Sequence, residues 1–90
     1  MPNVLHLGRT KNIKTEQASY SDNVYDSIPF TCEAHLTDEE LAQRIRKAIH
    51  KKFPPSHFGG CGYSCSILES HRETPTSGHI VVMHYHGIGD

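Results

Sequence analysis

Residues 36–55 have the sequence LTDEELAQRIRKAIHKKFPP, and this stretch decides the fold. Thr37 and Glu40 have the spacing of a capping box, in which each side chain accepts a hydrogen bond from the backbone N–H of the other residue. Apolar residues follow at helical spacing: Leu41, Ile45, Ala48, Ile49 and Phe53. The prolines at 54 and 55 end the pattern because proline cannot continue an α-helix. The sequence therefore predicts one amphipathic helix over about 38–53.

Four segments around this helix are predicted strands: two alternate apolar and polar residues with a period of two, one is rich in β-branched residues, and one is a short apolar candidate. They are residues 4–7, 27–35, 63–68 and 79–86. Pro29 cannot donate a hydrogen bond to a sheet, so we expect its strand at an edge, or the proline at the strand's beginning. The predicted fold class is α+β, a small single domain over residues 1–90 with ββαββ order. An antiparallel or mixed sheet packs one face on the helix and leaves the other face open.

The remaining segments are expected to be connections. Residues 9–26 are polar and weakly patterned, so we predict a long loop or mobile arm there. Residues 58–62 are rich in glycine and predict a turn. Residues 70–78 are polar and contain Pro75, which predicts a long hairpin loop.

Composition limits the classes of function. The chain has 90 residues, three cysteines and a formal net charge of −1 when its eight histidines are neutral. A domain of this length buries only about 60% of the surface that its unfolded chain exposes, so stabilisation by a second subunit or a metal is plausible. The odd cysteine count and the lack of a secretory leader favour a reducing compartment, and we expect a cytoplasmic protein. No apolar run is long enough to span a membrane.

The last predicted strand carries apolar side chains on both of its faces. Ile80 and Val82 point to one side, whereas Val81, Met83 and Tyr85 point to the other. A strand of this kind is either central or covered on its second face by another subunit. We therefore expect Val81, Met83 and Tyr85 to contact a protein partner or a second copy of the chain, and a homodimer is the expected state.

Histidine and cysteine in the C-terminal half predict an alternative function, the binding of zinc or another transition metal. The candidate ligands are His57, Cys61, Cys65, His84 and His86. His84 and His86 are two apart on one strand, so their rings share a face. Cys61 or Cys65 beside a histidine also has the composition of an activated thiol nucleophile, although no local catalytic motif accompanies it.

A third possibility is contact with nucleic acid through the basic end of the helix. Its cationic residues are Arg44, Arg46, Lys47, Lys51 and Lys52. Phe53 is the one aromatic residue beside them, and the helical pattern buries it, so the stacking platform of a single-strand binder is missing. Nucleic-acid binding is therefore disfavoured.

Residues 41–55, followed at a distance by residues 78–87, resemble the second helix and the last strand of the small dimeric dynein light chains. The resemblance covers less than a third of the chain. Where that family has its first helix, this chain has the strand pattern around Pro29, and the family's Trp-His pair is absent. The resemblance implies a dimeric adaptor that captures an extended peptide along a sheet edge.

The functional prediction is a small non-enzymatic interaction module or regulator without a cofactor. We expect it to be homodimeric and to bind a partner through a sheet face or a sheet edge. The His/Cys metal-binding protein is the alternative, and the nucleic-acid-binding protein is the third hypothesis.

Overall fold

The computed structural model describes residues 5–58 and 61–87, apart from the side chains of residues 57, 58 and 61. Within these ranges the chain forms six strands and one helix. The elements, in chain order, are β1 His6–Leu7, β2 Lys11–Gln17, β3 Ser21–Thr31, α1 Asp38–Lys52, β4 Ser56–Phe58, β5 Cys61–Thr74 and β6 Ser77–Gly87.

All strand pairs are antiparallel and belong to one sheet. The strand order is β1-β3-β6-β5-β4, and β2 also pairs with β3, beside β1. The helix packs on one face of this sheet. The predicted α+β class and the single amphipathic helix are confirmed, and the predicted ββαββ order agrees roughly with the observed one.

The capping box forms as predicted and fixes the beginning of α1. The Glu40 backbone N–H donates to Thr37 Oγ1 at 3.1 Å, and the Thr37 backbone N–H donates to Glu40 Oε1 at 2.9 Å. The second of these bonds stabilises the carboxylate, which lowers the pKa of Glu40. The helix then presents its apolar stripe to the sheet, where eight buried residues form the core: Ile28, Phe30, Leu36, Leu41, Ile45, Ile49, Ile80 and Val82.

The prediction of a loop or mobile arm over residues 9–26 is corrected by the structure. This range contains β2, Lys11–Gln17, and the first part of β3, Ser21–Thr31. Every residue of β2 is exposed, so no apolar alternation marks the strand in the sequence. The strand is held by its backbone pairing with β3, which does not depend on side-chain type.

The long hairpin loop predicted for residues 70–78 is also corrected. β5 continues to Thr74 and β6 begins at Ser77, so only Pro75 and Thr76 form the turn. Most side chains of this half of β5 are exposed and polar, which hides the strand in the sequence. The turn of residues 58–62 was predicted around Gly59 and Gly60, which lie outside the described residues.

Pro29 lies in the middle of the sheet, and its strand is not the edge strand that we expected. β3 has β6 on one side and β1 and β2 on the other. The Pro29 carbonyl accepts from the Gly8 backbone N–H at 2.7 Å, so the nitrogen of Pro29 also faces the β1/β2 side. Gly8 lies in the gap between β1 and β2, so no strand residue opposite Pro29 depends on a hydrogen bond from its missing N–H. The interruption of the neighbouring strand therefore accommodates the proline.

The described elements leave the second face of the sheet uncovered. Along β6 the residues with even numbers from Gly78 to His84 are buried and face α1, whereas the residues between them are partly exposed. Residues of β3 and β5 in register with these odd-numbered residues lie on the same face. We call this surface the open face, and it includes Tyr25, Ser27, His71, His79, Val81 and Met83.

Replacing Gly78 with alanine tests the register of β5 against β6. A Cβ atom built on Gly78 would lie 2.7 Å from Phe30 Cζ and 2.9 Å from Arg72 Cα, closer than real Cβ contacts. Gly78→Ala should therefore destabilise the fold by about 1–3 kcal/mol or more, measured by urea unfolding, because the clash involves backbone that cannot move freely. Gly87→Ala is the control, since its Cβ would meet only the Tyr85 ring, at 3.2 Å. Equal stability of the two variants would contradict the register.

Candidate functional site

A buried hydrogen-bonded pair of polar side chains, Asp26 and His84, joins β3 to β6 on the side of the sheet that faces α1. Asp26 is in register with Val82, and His84 with Val24, so the two polar residues are diagonal neighbours across the ladder. His84 Nε2 is 2.9 Å from Asp26 Oδ2, and the side chains are only 7% and 12% exposed. Polar groups buried to this degree need hydrogen-bond partners, so each of these side chains depends on the other.

Two more side chains extend this pair across four strands. Asn12 Nδ2, on β2, donates to Asp26 Oδ1 at 3.0 Å, and the Tyr63 hydroxyl, on β5, lies 2.7 Å from His84 Nδ1. Because a carboxylate only accepts, His84 Nε2 carries a hydrogen, and Nδ1 of the neutral ring accepts the Tyr63 hydroxyl hydrogen. The neutral tautomer of His84 with its hydrogen on Nε2 thus satisfies both the bond to Asp26 and the bond to Tyr63. We call Asn12, Asp26, His84 and Tyr63 the polar chain.

Aromatic contacts hold the His84 ring in place. Phe53, the residue that ends α1, meets this ring edge-on with centroids 4.6 Å apart. The Tyr63 ring lies nearly parallel to that of His84, at 5.9 Å, and tilted toward that of His86, at 5.0 Å. The end of the helix therefore closes over the centre of the polar chain.

The hydroxyl and thiol beside His84 are protonated groups. Burial, reinforced by the charges of Cys65 and Asp26, raises the pKa of Tyr63 to about 12. Burial, followed by the charge of Asp26, raises the pKa of Cys65 to about 11. A catalytic nucleophile needs a pKa shifted in the opposite direction or a base within reach. This arrangement supports a structural polar chain better than an activated nucleophile.

The predicted metal ligands are only partly within the described structure. The side chains of His57 and Cys61 lie outside the described residues. Cys65 is in register with His84, and His86 is exposed on the same side of β6. Both ring nitrogens of His84 already have partners, Asp26 and Tyr63. Among the described side chains, no group of three or more His, Cys, Asp or Glu residues is arranged to hold a metal ion.

The predicted partner-binding residues lie together on the open face or at its end. Val81 and Met83 are half-buried among their neighbours, and Tyr85 is 40% exposed. Tyr25 is in register with Met83, and its hydroxyl donates to Glu16 Oε1 at 2.9 Å. The face is therefore a mixture of apolar and polar groups, of the kind that an antiparallel sheet can expose to water. A role for these residues in partner contact stays a prediction.

The basic residues are distributed over the solvent side of α1. Arg46, Lys47, Lys51 and Lys52 are exposed, and Arg44 is half-buried. The Lys52 ammonium lies 5.8 Å from the centre of the Phe53 ring, and Arg44 acts on the carboxylate of Glu40. The arrangement is that of an ordinary solvated helix face, and a nucleic-acid contact stays untested.

Sequence reasoning missed the outer edge of β5. β4 pairs only with residues 61–63 of this strand, and within the described chain no other strand pairs with the outer side of residues 64–74. Ile67 is 36% and Leu68 is 50% exposed at the middle of this free segment. The pair of adjacent apolar residues in an alternating strand was the signal for it. We call residues 64–74 the β5 edge.

A groove lies between the β5 edge and α1. Two adjoining cavities of about 470 and 390 Å³ form it, and they share Ala42 and Ser70. Ile45, Ile49, Cys65 and Ile67 make the apolar part of the larger cavity, and Arg46 and His50 lie at it as well. The groove runs along the line where α1 lies beside β5.

Comparison of the chain with known protein families, curated proteins and solved structures gives no significant match. In the ranges that the structure describes, no helix has the length and apolar character needed to cross a membrane.

The polar chain leads to a test by mutation and pH. Tyr63→Phe should cost about 1 kcal/mol of unfolding free energy at pH 7, because it removes a hydrogen bond and leaves His84 Nδ1 unsatisfied. The folded-state pKa of about 12 exceeds the ordinary value of 10.0, so the contribution is complete below pH 10 and is lost as the pH rises through 12. The difference in unfolding free energy between the wild type and Tyr63→Phe should therefore shrink as the pH rises from 10 to 12. Tyr20→Phe is the control, since Tyr20 is 68% exposed. A difference between wild type and Tyr63→Phe that stays constant with pH would contradict the buried position of the Tyr63 hydroxyl in the polar chain.

Cys65 leads to a test by alkylation. The raised pKa predicts a thiolate fraction about 100-fold below that of an ordinary thiol at pH 8, and burial slows the reagent further. Iodoacetamide labelling, followed residue by residue with mass spectrometry, should show correspondingly slow modification of Cys65 in the folded protein. The same protein in denaturant is the control. Labelling in the folded state faster than that of a free peptide thiol would restore the nucleophile hypothesis.

Proposed function

We propose that this protein is a small non-enzymatic interaction module that dimerises by pairing its β5 edge with the β5 edge of a second copy. The observation that carries the proposal is an edge of eleven residues, 64–74, that has no pairing strand among the described residues and lies beside an open groove. Eleven residues of strand extend about 37 Å, enough for a substantial backbone ladder.

The composition of the two outer strands supports this choice of edge. Exposed edges normally avoid pairing by carrying lysine or proline. β2 follows that rule with Lys11 and Lys14, whereas residues 64–74 contain no lysine and no proline. The β5 edge instead exposes Ile67 and Leu68. A bulge between Ile67 and Glu69 bends the strand, so a pairing strand has to follow the same curve. β5 of a second copy has the same bulge and therefore the same bend.

The groove supports a symmetric partner. In a twofold arrangement the same patch occurs on both sides of the interface, so Ile67 of each copy lies close to the axis. The groove floor of Ile45 and Ile49 is apolar and matches the apolar side chain that a pairing β5 would present. Removing Ile67 and Leu68 of both copies from water adds to the apolar burial of a 90-residue domain, which is small on its own.

The other predictions fit this proposal to different degrees. The open face, with Val81, Met83 and Tyr85, remains accessible in such a dimer and is the surface for a further protein partner. Cys32 and Cys65 are free thiols, which supports a cytoplasmic location. Metal binding through Cys65, His84 and His86, with His57 and Cys61, has less support, because His84 is committed to the polar chain.

The mass of the protein in solution, measured by light scattering after size exclusion, tests the proposal. The wild type should be a dimer at micromolar concentration, and Ile67→Lys should be a monomer because it places a charge in the centre of the interface. Ile13→Lys is the matched control, since Ile13 is an exposed isoleucine on the other edge strand. It should remain dimeric.

Two outcomes would contradict the edge-to-edge arrangement. One is a wild type that is monomeric at these concentrations. The other is a dimer that Met83→Lys dissociates and Ile67→Lys does not, which would move the interface to the open face. Hydrogen exchange gives an independent readout, because pairing should protect the outward backbone amides of residues 64–74 and leave those of β2 unprotected.

A further inference from the structure

Two histidines face each other across the β5–β6 pair on the open face. His71 and His79 are direct register partners, and their ring centroids lie 5.2 Å apart with the planes tilted by 39°. Directly opposed residues of an antiparallel pair have Cβ atoms about 4.5–5.5 Å apart, so the two rings are close neighbours above the sheet. The polar chain uses neither histidine.

Each of these rings is oriented by its own carboxylate. His71 Nε2 lies 2.7 Å from Glu69 Oε1, and His79 Nδ1 lies 3.2 Å from Glu73 Oε2. The second nitrogen of each ring, Nδ1 of His71 and Nε2 of His79, makes no hydrogen bond or ion pair within the described residues. Metal-binding histidines characteristically have this arrangement, in which a carboxylate binds one ring N–H and leaves the other nitrogen as the ligand.

We propose that His71 and His79 form a binding site for one divalent transition-metal ion, with Glu69 and Glu73 as the outer carboxylates that orient the rings. His71 Nδ1 and His79 Nε2 are the protein ligands, and water completes the coordination. Imidazole nitrogen selects Cu²⁺, Ni²⁺ or Zn²⁺ over Mg²⁺ or Ca²⁺, which take oxygen ligands. Among the three, Cu²⁺ should bind most tightly.

The local backbone keeps the two ligands in position. The strands that carry them are joined by the two-residue turn Pro75–Thr76, and the Thr74 and Ser77 hydroxyls are 2.6 Å apart across its base. The His71 and His79 side chains are 55% and 32% exposed, so an ion reaches them from solvent. With two protein ligands the site differs from the larger His/Cys cluster that the sequence suggested. It involves none of those five residues.

Titration with Cu²⁺ alone in a non-coordinating buffer, followed by calorimetry and electron paramagnetic resonance, tests the site. The wild type should bind one ion per chain with two imidazole nitrogens in the copper spectrum. His71→Asn and His79→Asn should each weaken binding at least 10-fold and reduce the spectrum to one imidazole. Glu69→Gln and Glu73→Gln keep both ligands and should weaken binding about 10-fold.

His35→Asn is the matched control, because His35 also lies beside a carboxylate, that of Glu33 at 3.6 Å, but belongs to no strand pair. It should bind copper as the wild type does. The thermal midpoint gives a second readout, since an ion that binds the folded state raises it in wild type and in His35→Asn but not in the His71 and His79 variants. Three of the site's residues lie on the β5 edge, but all its ligands come from one chain, so Ile67→Lys should retain the site.

Wild-type affinity and stoichiometry in both His71→Asn and His79→Asn would overturn the proposal, as would a copper spectrum of the wild type with fewer than two imidazole nitrogens. Both variants change partly exposed side chains, and circular dichroism checks that they fold. A loss of binding in His35→Asn equal to that in the two variants would indicate an adventitious ion only.

Discussion

The antiparallel pairing of β3 with β6 is the constraint on which the rest of the structure depends. The two strands are in register over eleven positions, from Ser21 with Gly87 to Thr31 with Ser77. This ladder brings Ile28 next to Ile80 and sets both below the helix. It also brings Asp26 next to His84, although the two are far apart in the chain. The same register that builds the apolar core therefore builds the polar chain at its end.

A single helix cannot cover all of a six-stranded sheet, and the groove, the β5 edge and the open face are the parts that stay accessible. The apolar stripe of α1 is short, and the fully buried residues that it covers belong to β3 and β6. β5 borders the groove beside α1, and within the described chain no strand pairs with the outer backbone edge of its residues 64–74. The β5 edge exposes Ile67 and Leu68, whereas polar side chains surround Val81 and Met83 on the open face. For this reason we propose the dimer contact at the β5 edge.

The four histidines of the paired parts of β5 and β6 have three different environments, which are set by the strand pairing. His84 is buried and bonded at both ring nitrogens, so it stabilises the fold and is not available to an ion. His86, two residues further, is exposed beside the Tyr63 ring. His71 and His79 are opposed on the open face, each with a carboxylate at one ring nitrogen and no partner among the described residues at the other. Their metal-binding capacity comes from register, which no spacing along the chain reveals.

The sequence by itself determined the helix, its capping box and the strands that contribute to the core. These features follow from local chemistry: Thr37 and Glu40 bond within one turn, the alternation around Ile28 reflects burial of one face, and the β-branched residues around Ile80 favour a strand. Only the tertiary structure decided that residues 11–17 and 70–74 are strands, because backbone pairing holds polar segments that show no apolar pattern. It also decided the polar chain and the β5 edge. Both depend on which strands are neighbours, and that choice is made by long-range pairing.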